Sequence, residues 1–98
     1  MKKSKQINAN YAFVLYDVHE KRVHKVFKVC KKYLTHHQNS VFRGAITPSN
    51  IMKMRKEIEA IIEKDYDFVS IITMMNEHAF TEITLGTSLK ADGEALFL

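Results

Sequence analysis

The sequence predicts an α+β sandwich with the ferredoxin-like βαββαβ layout, an extra C-terminal strand and a homodimeric assembly. Two nearly continuous apolar runs, residues 11–18 and 67–75, are typical of strands that lie inside a sheet. Two segments with apolar residues at helical spacing, residues 20–34 and 48–62, lie between these runs. In this order both helices are expected to pack on one face of an antiparallel sheet.

The first strand and the first helix have the clearest patterns. Residues 11–18 read Tyr-Ala-Phe-Val-Leu-Tyr-Asp-Val, which predicts a central strand buried on both faces. Residues 20–34 carry an apolar stripe at steps of three and four, formed by Val23, Val26, Phe27, Cys30, Tyr33 and Leu34. The opposite face carries a regular set of lysines, called the basic stripe below: Lys21, Lys25, Lys28 and Lys32. An amphipathic helix with one basic side is therefore predicted.

The remaining elements follow from local signals. Residues 35–46 form a short segment whose residue types favour β structure. Thr47-Pro48 predicts the start of the second helix, with a hydroxyl at the N-cap and proline at the first helical position. The core stripe of this helix is Ile51, Met54, Ile58, Ile61 and Ile62. Residues 67–75 form the second apolar strand, and residues 81–85 alternate in the manner of a further edge strand.

The chain divides into a flexible basic leader at residues 1–9, a ferredoxin-like domain at residues 10–88 and a C-terminal tail at residues 89–98. A domain of this size leaves the second face of its sheet uncovered, and the tail ends in the apolar run Ala-Leu-Phe-Leu. Exposed apolar patches are costly, so dimerisation is expected, with the tail pairing at the dimer interface. The side chains predicted at that interface are Phe42, Leu96 and Phe97.

Composition excludes several classes of protein. Cys30 is the only cysteine, which excludes a disulfide framework and a cysteine-based zinc site, and its place in the apolar stripe predicts a core residue. The five histidines have poor spacing for a shared zinc site, since His36 and His37 are adjacent. No apolar stretch approaches the roughly 20 residues needed to span a bilayer, and no signal peptide is evident. A cytoplasmic protein is expected.

The charges are distributed very unevenly along the chain. Residues 1–56 hold 13 Lys and Arg against two acids, a net charge of +11, whereas residues 57–98 hold two Lys against nine acids, a net charge of −7. This asymmetry indicates one surface that attracts a polyanion and another that repels it or meets a basic protein. The alternative is that the charges only solvate helix faces.

Asp17 is the candidate metal ligand. It is the first acidic residue of the chain, and it lies between an apolar strand and a lysine-rich helix. A carboxylate at a strand end beside basic residues suits a hard cation such as Mg²⁺ and a phosphate, and two copies meeting at a twofold axis would double the charge. The alternative is that Asp17 caps the helix that follows.

Tyr16 and Arg22, which lie close to Asp17 in the sequence, each have two possible roles. Tyr16 either positions Asp17 or a phosphate, or is an aromatic residue of the core. Arg22 either binds the scissile phosphate through two hydrogen bonds or lies in solvent. Because no general base is evident, activation of water would fall to the metal.

Several motifs together resemble the CRISPR-associated Cas2 family. They are Tyr16-Asp17 after the first strand, the lysine-rich helix, Gln38-x-Ser40-Val41-Phe42, the Thr47-Pro48 helix start and the run from Asn76 to Gly86. The resemblance covers roughly residues 10–88. The sequence departs from the family pattern at His36, where many members carry arginine, and at Glu20, which interrupts the first-turn basic cluster.

The resemblance implies a symmetric dimer whose sheets pack face to face, with Mg²⁺ or another divalent cation bridged by the two copies of Asp17. It implies a metal-dependent nuclease acting on RNA or DNA, with Asp17, Tyr16 and Arg22 as catalytic residues. It further implies a scaffold that holds duplex DNA between two dimers of the CRISPR integrase during spacer acquisition. The residues assigned to nucleic-acid binding are Lys21, Lys25, Lys28, Lys32, His36 and Arg43.

Two alternatives share this fold. One is a stand-alone endoribonuclease toxin of the virulence-associated D type, which would cleave RNA without an integrase partner. The other is a noncatalytic RNA-recognition module. The sequence disfavours the module, because no Lys/Arg-Gly-aromatic stretch with interleaved aromatic residues lies on a central strand.

Overall fold

One central strand organises a four-stranded antiparallel sheet. The computed structural model describes residues 9–86 of the chain. Its elements in chain order are β1 (Tyr11–Asp17), α1 (Glu20–Tyr33), β2 (Thr35–Gln38), β3 (Val41–Ala45), α2 (Pro48–Glu59), β4 (Phe68–Met74) and a 3₁₀ turn at Glu77–Ala79. The strand order is β2-β3-β1-β4, so β1 is hydrogen-bonded on both sides. The predicted ferredoxin-like βαββαβ layout is confirmed.

Both helices pack on the same face of the sheet, as predicted. Alternate residues of β1, namely Ala12, Val14 and Tyr16, point into this layer and are buried. The helices contribute Val26, Val29, Cys30, Ile51, Met54 and Ile58 to the same core. Within residues 9–86 no helix is long and apolar enough to cross a membrane.

The other face of β1 is only partly covered, which corrects the prediction of a strand buried on both faces. Leu15 is 37% exposed, and its neighbours on β4, Phe68 and Ile72, are 61% and 47% exposed. These three residues lie on the sheet face opposite the helices and are called the open face below. Near the other end of β1, the ring of Phe80 covers Tyr11 and Phe13, with ring centroids 5.6 and 5.1 Å apart.

Local capping explains where several elements begin and turn. The side chain of Thr47 accepts a hydrogen bond from the Asn50 N–H at 3.2 Å, and Pro48 occupies the first turn of α2, as predicted. The hairpin between β2 and β3 turns at Asn39, whose φ of 44° is one that asparagine tolerates better than most residues.

Phe42 belongs to the core of its own protomer, which corrects its predicted place at a dimer interface. Its side chain is fully buried and packs edge-on against Phe27, with ring centroids 5.1 Å apart. Tyr16 and His36 contact it from two further sides. Because β3 alternates, the residue lies towards the helices, whose side chains cover it.

Residues 81–85, predicted as an extra edge strand, have no regular secondary structure. Their alternating pattern depends on a neighbouring strand, and within the described residues Ile83 and Leu85 pack against nothing and are almost fully exposed. The predicted tail, with Leu96 and Phe97, lies outside the described residues, as do residues 1–8 of the leader. Ala9, the last residue of the predicted leader, is buried in the core.

The burial of Phe42 gives a direct test. We expect Phe42→Ala to lower the free energy of unfolding by about 3–5 kcal/mol, because it removes a fully buried ring and leaves a cavity. Tyr66→Ala is the control, since Tyr66 is 79% exposed and its loss should cost less than about 1 kcal/mol. Urea denaturation followed by circular dichroism measures both values. Equal destabilisation by the two substitutions would contradict the placement of Phe42 in the core.

Candidate functional site

Asp17 lies at the end of β1 with its side chain exposed. It is paired across the sheet with Phe68, the first residue of β4. Within the part of the chain that the structure describes, its carboxylate makes no hydrogen bond and no ion pair. Helix α1 is instead capped by His19, whose Nδ1 accepts a hydrogen bond from the Lys21 N–H at 3.1 Å. The alternative interpretation of Asp17 as the helix cap is therefore wrong, and its carboxylate is available to a ligand.

Tyr16 lies in the core. Its ring is buried and stacks on Phe42 at a centroid distance of 6.3 Å. Burial, with a smaller effect of the nearby Cys30 thiol, raises the pKa of Tyr16 to about 12. The phenol therefore stays protonated at neutral pH. This placement fits the core interpretation, and it gives Tyr16 a role in fixing the strand that carries Asp17.

Arg22 binds Asp67, a contact that neither sequence interpretation includes. Its Nε donates to Asp67 Oδ2 at 2.6 Å and its Nη2 donates to Oδ1 at 3.0 Å, which is the two-bond geometry typical of arginine and carboxylate. The Arg22 side chain is 21% exposed, and the Asp67 side chain is fully buried. The guanidinium is thus committed to a protein carboxylate in this structure.

Asp67 is the residue that sequence analysis missed. Besides the two bonds from Arg22, it accepts the backbone N–H of His19 at 2.9 Å and that of Glu63 at 2.9 Å. The hydrogen bonds from Arg22, and those from the two backbone N–H groups, hold its pKa well below the usual range despite burial. In the sequence, Asp67 is marked only by its position between the acids Glu63 and Asp65 and the apolar strand that follows. Several other acids of residues 57–98 have a similar context.

The basic stripe of α1 is exposed along its length. Within the described residues, Lys21, Lys25 and Lys28 form no ion pair, so their charges face solvent. Lys32, at the end of the stripe, donates to Glu57 on α2 at 2.5 Å, and the Tyr33 hydroxyl donates to the same carboxylate. The stripe therefore offers three free cations and a fourth that is already neutralised.

His36 and Arg43 lie on opposite faces of the sheet. His36 packs edge-on against Phe27, with ring centroids 5.1 Å apart, and its Nε2 lies 2.7 Å from the Asn39 carbonyl oxygen. Arg43 alternates with the buried Phe42 and so lies on the opposite sheet face, where it binds Glu82. These two predicted nucleic-acid ligands therefore do not share one surface.

The donor set available to a metal in one protomer is small. Among residues 9–86 no group of three or more His, Cys, Asp and Glu side chains is placed to hold a metal ion. Asp17 supplies an unpaired carboxylate near the basic stripe, and its oxygen chemistry suits Mg²⁺, which retains several waters and needs few protein ligands. A metal site at Asp17 therefore requires further ligands from water or from a second copy of the chain.

Comparisons with known proteins agree on one family. A family model described as CRISPR associated protein Cas2 matches residues 10–83. A protein of Thermodesulfovibrio yellowstonii named CRISPR-associated endoribonuclease Cas2 3 is 38% identical over 86 residues, covering 88% of this chain and 98% of the relative. The protein of Thermotoga maritima named CRISPR-associated endoribonuclease Cas2 is 37% identical over 85% of this chain and 95% of its own length. A solved structure titled "Crystal structure of cas2" superposes with a TM-score of 0.74 at 32% identity, covering 81% of this chain and 88% of the other.

The low pKa of Asp67 predicts the response of the fold to acid. The pKa of Asp67 in the folded protein lies below its ordinary value of 3.8. The ionised carboxylate therefore stabilises the fold fully at pH values above 3.8, and this stabilisation is lost as the pH falls from there through the folded-state pKa. We expect the urea midpoint of the wild type to decrease between about pH 5 and pH 2, and to decrease less steeply in Asp67→Asn.

The matched control is Asp65→Asn, which removes an exposed carboxylate two residues away and should keep the wild-type profile. The measurement is urea denaturation at a series of pH values. Parallel profiles for the wild type and Asp67→Asn would show that Asp67 does not link folding to protonation.

Proposed function

This chain belongs to the family of CRISPR associated protein Cas2, and on that premise we propose that it is a dimeric nucleic-acid-binding protein of CRISPR adaptation with metal-dependent endonuclease activity at Asp17. The observation that carries the proposal is the exposed, unpaired carboxylate of Asp17, held at a strand end next to a helix that presents free lysines. The names of the relatives support RNA as the substrate class. We propose DNA as a second substrate class.

The proposed metal site is completed by a second copy of the chain. The open face carries three exposed apolar side chains, Leu15, Phe68 and Ile72, whose burial against a second copy would be favourable. Asp17 lies on the same face of β1 as Leu15, since the two residues are two positions apart on a strand. Packing two open faces together would therefore bring both carboxylates to one interface, where they could share a divalent cation.

Each residue has a distinct task in this proposal. Asp17 from each copy holds the cation, and Tyr16 anchors the end of β1 in the core. When bound, Mg²⁺ supplies an acidified water and neutralises charge on the phosphate. Lys21 and Lys25, the first members of the basic stripe, hold the nucleic-acid backbone near this end of the sheet. Arg22 acts through Asp67 and orients the helix rather than binding the phosphate itself.

Scaffolding of duplex DNA is supported by the length of the basic stripe. Helix α1 has 14 residues and is therefore about 21 Å long, which spans several phosphates of a duplex. Contacts of this kind are sequence-independent, as expected of a protein that handles DNA of any sequence. Exposed acids around the end of α2, namely Glu59, Glu63 and Asp65, provide a surface for a basic partner such as the integrase.

The nuclease proposal is tested by removing the charge of Asp17. We expect Asp17→Asn to reduce Mg²⁺-dependent cleavage of single-stranded RNA by about 100-fold or more, because charge stabilisation in the transition state would be lost. EDTA should abolish cleavage by the wild type. Cleavage of labelled RNA and of duplex DNA, resolved on denaturing gels, measures the effect.

Asp65→Asn is the control for this experiment, since it removes an exposed acid away from the site. Wild-type cleavage by Asp17→Asn would place the nuclease site elsewhere. If neither protein cleaves while both bind duplex DNA equally well, the protein is a scaffold without nuclease activity.

The role of the basic stripe is tested by the salt dependence of binding. We expect Lys25→Ala to weaken binding to duplexes of different sequence to a similar extent, and to lower the slope of log K against log salt concentration by about 1. Lys64→Ala, which removes an exposed lysine after α2, should leave the slope unchanged. Fluorescence anisotropy between about 50 and 200 mM salt gives these slopes. Identical slopes for the wild type and Lys25→Ala would exclude this lysine from the interface.

A further inference from the structure

Asp67 is a buried carboxylate whose two oxygens are fully hydrogen-bonded. It is the only buried charged residue among residues 9–86. Four donors, two from Arg22 and one each from the backbone of His19 and Glu63, satisfy both of its oxygens. A buried carboxylate is costly unless it is fully paired in this way. Such complete satisfaction indicates a fixed geometry around Asp67.

The end of β1 is held asymmetrically. On the side of β3, the register ends at Leu15 opposite Val41, and the last hydrogen bond runs from the Tyr16 N–H to the Ser40 carbonyl at 3.1 Å. On the side of β4, the register continues to Asp17 opposite Phe68. Asp17 therefore depends on β4 alone for its alignment.

Asp67 extends this alignment beyond the strand. It directly precedes Phe68, and its Oδ1 accepts the N–H of His19, two residues after Asp17. Asp17 is thus held by its own strand pair with Phe68 and by a side-chain hydrogen bond two residues ahead, at His19. Without the bond to His19, the corner between β1 and α1 would keep only the Asp17–Phe68 pair and the Arg22–Asp67 bonds as ties to the start of β4.

The same carboxylate fixes α1 relative to Asp17. Arg22 lies in the first turn of α1, next to Lys21 at the start of the basic stripe, and its two bonds to Asp67 orient that turn. The N–H of Glu63 ties the connection between α2 and β4 to the same point. Three chain segments therefore meet at one side chain, which immediately precedes Phe68, the strand partner of the proposed metal ligand.

We propose that Asp67 is a positioning residue for Asp17: it touches neither metal nor nucleic acid, but it fixes the strand end and the helix between which both would bind. This inference rests on the proposed function, since it needs a ligand at Asp17. A site loses affinity when its supporting contacts leave a ligand imprecisely held. Loss of Asp67 should therefore weaken metal binding through the backbone of residues 17–19, beyond any loss of stability.

The experiment compares two carboxylates that both anchor α1. Asp67→Asn removes the anchor at the start of the helix, and Glu57→Gln removes the anchor at its other end, where Glu57 binds Lys32 and Tyr33. Mn²⁺ affinity without nucleic acid is measured by electron paramagnetic resonance on each folded variant, with Asp17→Asn as the reference for loss of the site. Hydrogen–deuterium exchange over residues 16–22 is measured on the same samples.

We expect Asp67→Asn to weaken Mn²⁺ binding about 10-fold and to speed amide exchange at residues 17–19, and Glu57→Gln to do neither. If Asp67→Asn does not fold, Arg22→Lys replaces it, since it keeps the charge but loses the two-bond geometry, and it should produce a smaller change in the same direction.

Unchanged Mn²⁺ affinity in the Asp67 or Arg22 variant, with binding lost in Asp17→Asn, would overturn the positioning role and leave the proposed function standing. Equal weakening by Glu57→Gln would reduce Asp67 to a general stabilising residue. If the wild type has no Mn²⁺ site that Asp17→Asn removes, the proposed metal function fails and the positioning role fails with it.

Discussion

The structure depends on the central position of β1. Because this strand is hydrogen-bonded to β3 on one side and to β4 on the other, it fixes the register of most of the sheet. Its alternating side chains give Ala12, Val14 and Tyr16 to the core and leave Leu15 and Asp17 on the opposite face. One strand thus joins the hydrophobic core to the candidate site, and the core determines where the site lies.

The charge asymmetry of the sequence has a different meaning in the folded chain. Its basic first half and acidic second half suggest two separate surfaces, yet the ion pairs between Lys or Arg and Asp or Glu in residues 9–86 all join one half to the other. They are Arg22–Asp67, Lys32–Glu57, Arg43–Glu82 and Arg55–Glu59. Part of the acidic excess therefore pairs with part of the basic excess. Within the basic stripe, Lys21, Lys25 and Lys28 are left without an ion pair among residues 9–86, and they form a narrower basic surface than the composition indicates.

The sequence predicts the elements well because their signals are local. The apolar stripe of α1 and the Thr47-Pro48 helix start depend on residues a few positions apart, and both are confirmed. The stripe predicted for α2 is confirmed at Ile51, Met54 and Ile58, but the helix ends at Glu59, so Ile61 and Ile62 pack against the core from the connection that follows it. Contacts between distant residues carry no such signal. Asp67 is 45 residues from Arg22, and only the fold brings the two together. Phe42 is a large aromatic residue of the kind found at interfaces, but the pleat of β3 directs its side chain towards the helices and the core. Residues 81–85 have the alternation of a strand, but a strand also requires a neighbour, which a local pattern does not reveal.

The adjacency of Tyr16 and Asp17 has an evolutionary consequence. The pleat directs one side chain into the core and the next into solvent, so the two neighbouring codons are under unrelated selection. A substitution of Tyr16 disrupts packing and is removed whatever the protein does. A substitution of Asp17 leaves the fold intact, because no contact within residues 9–86 depends on its carboxylate. The carboxylate can therefore be lost while the fold and its basic helix are kept, so the fold alone does not show whether a chain retains the proposed metal ligand.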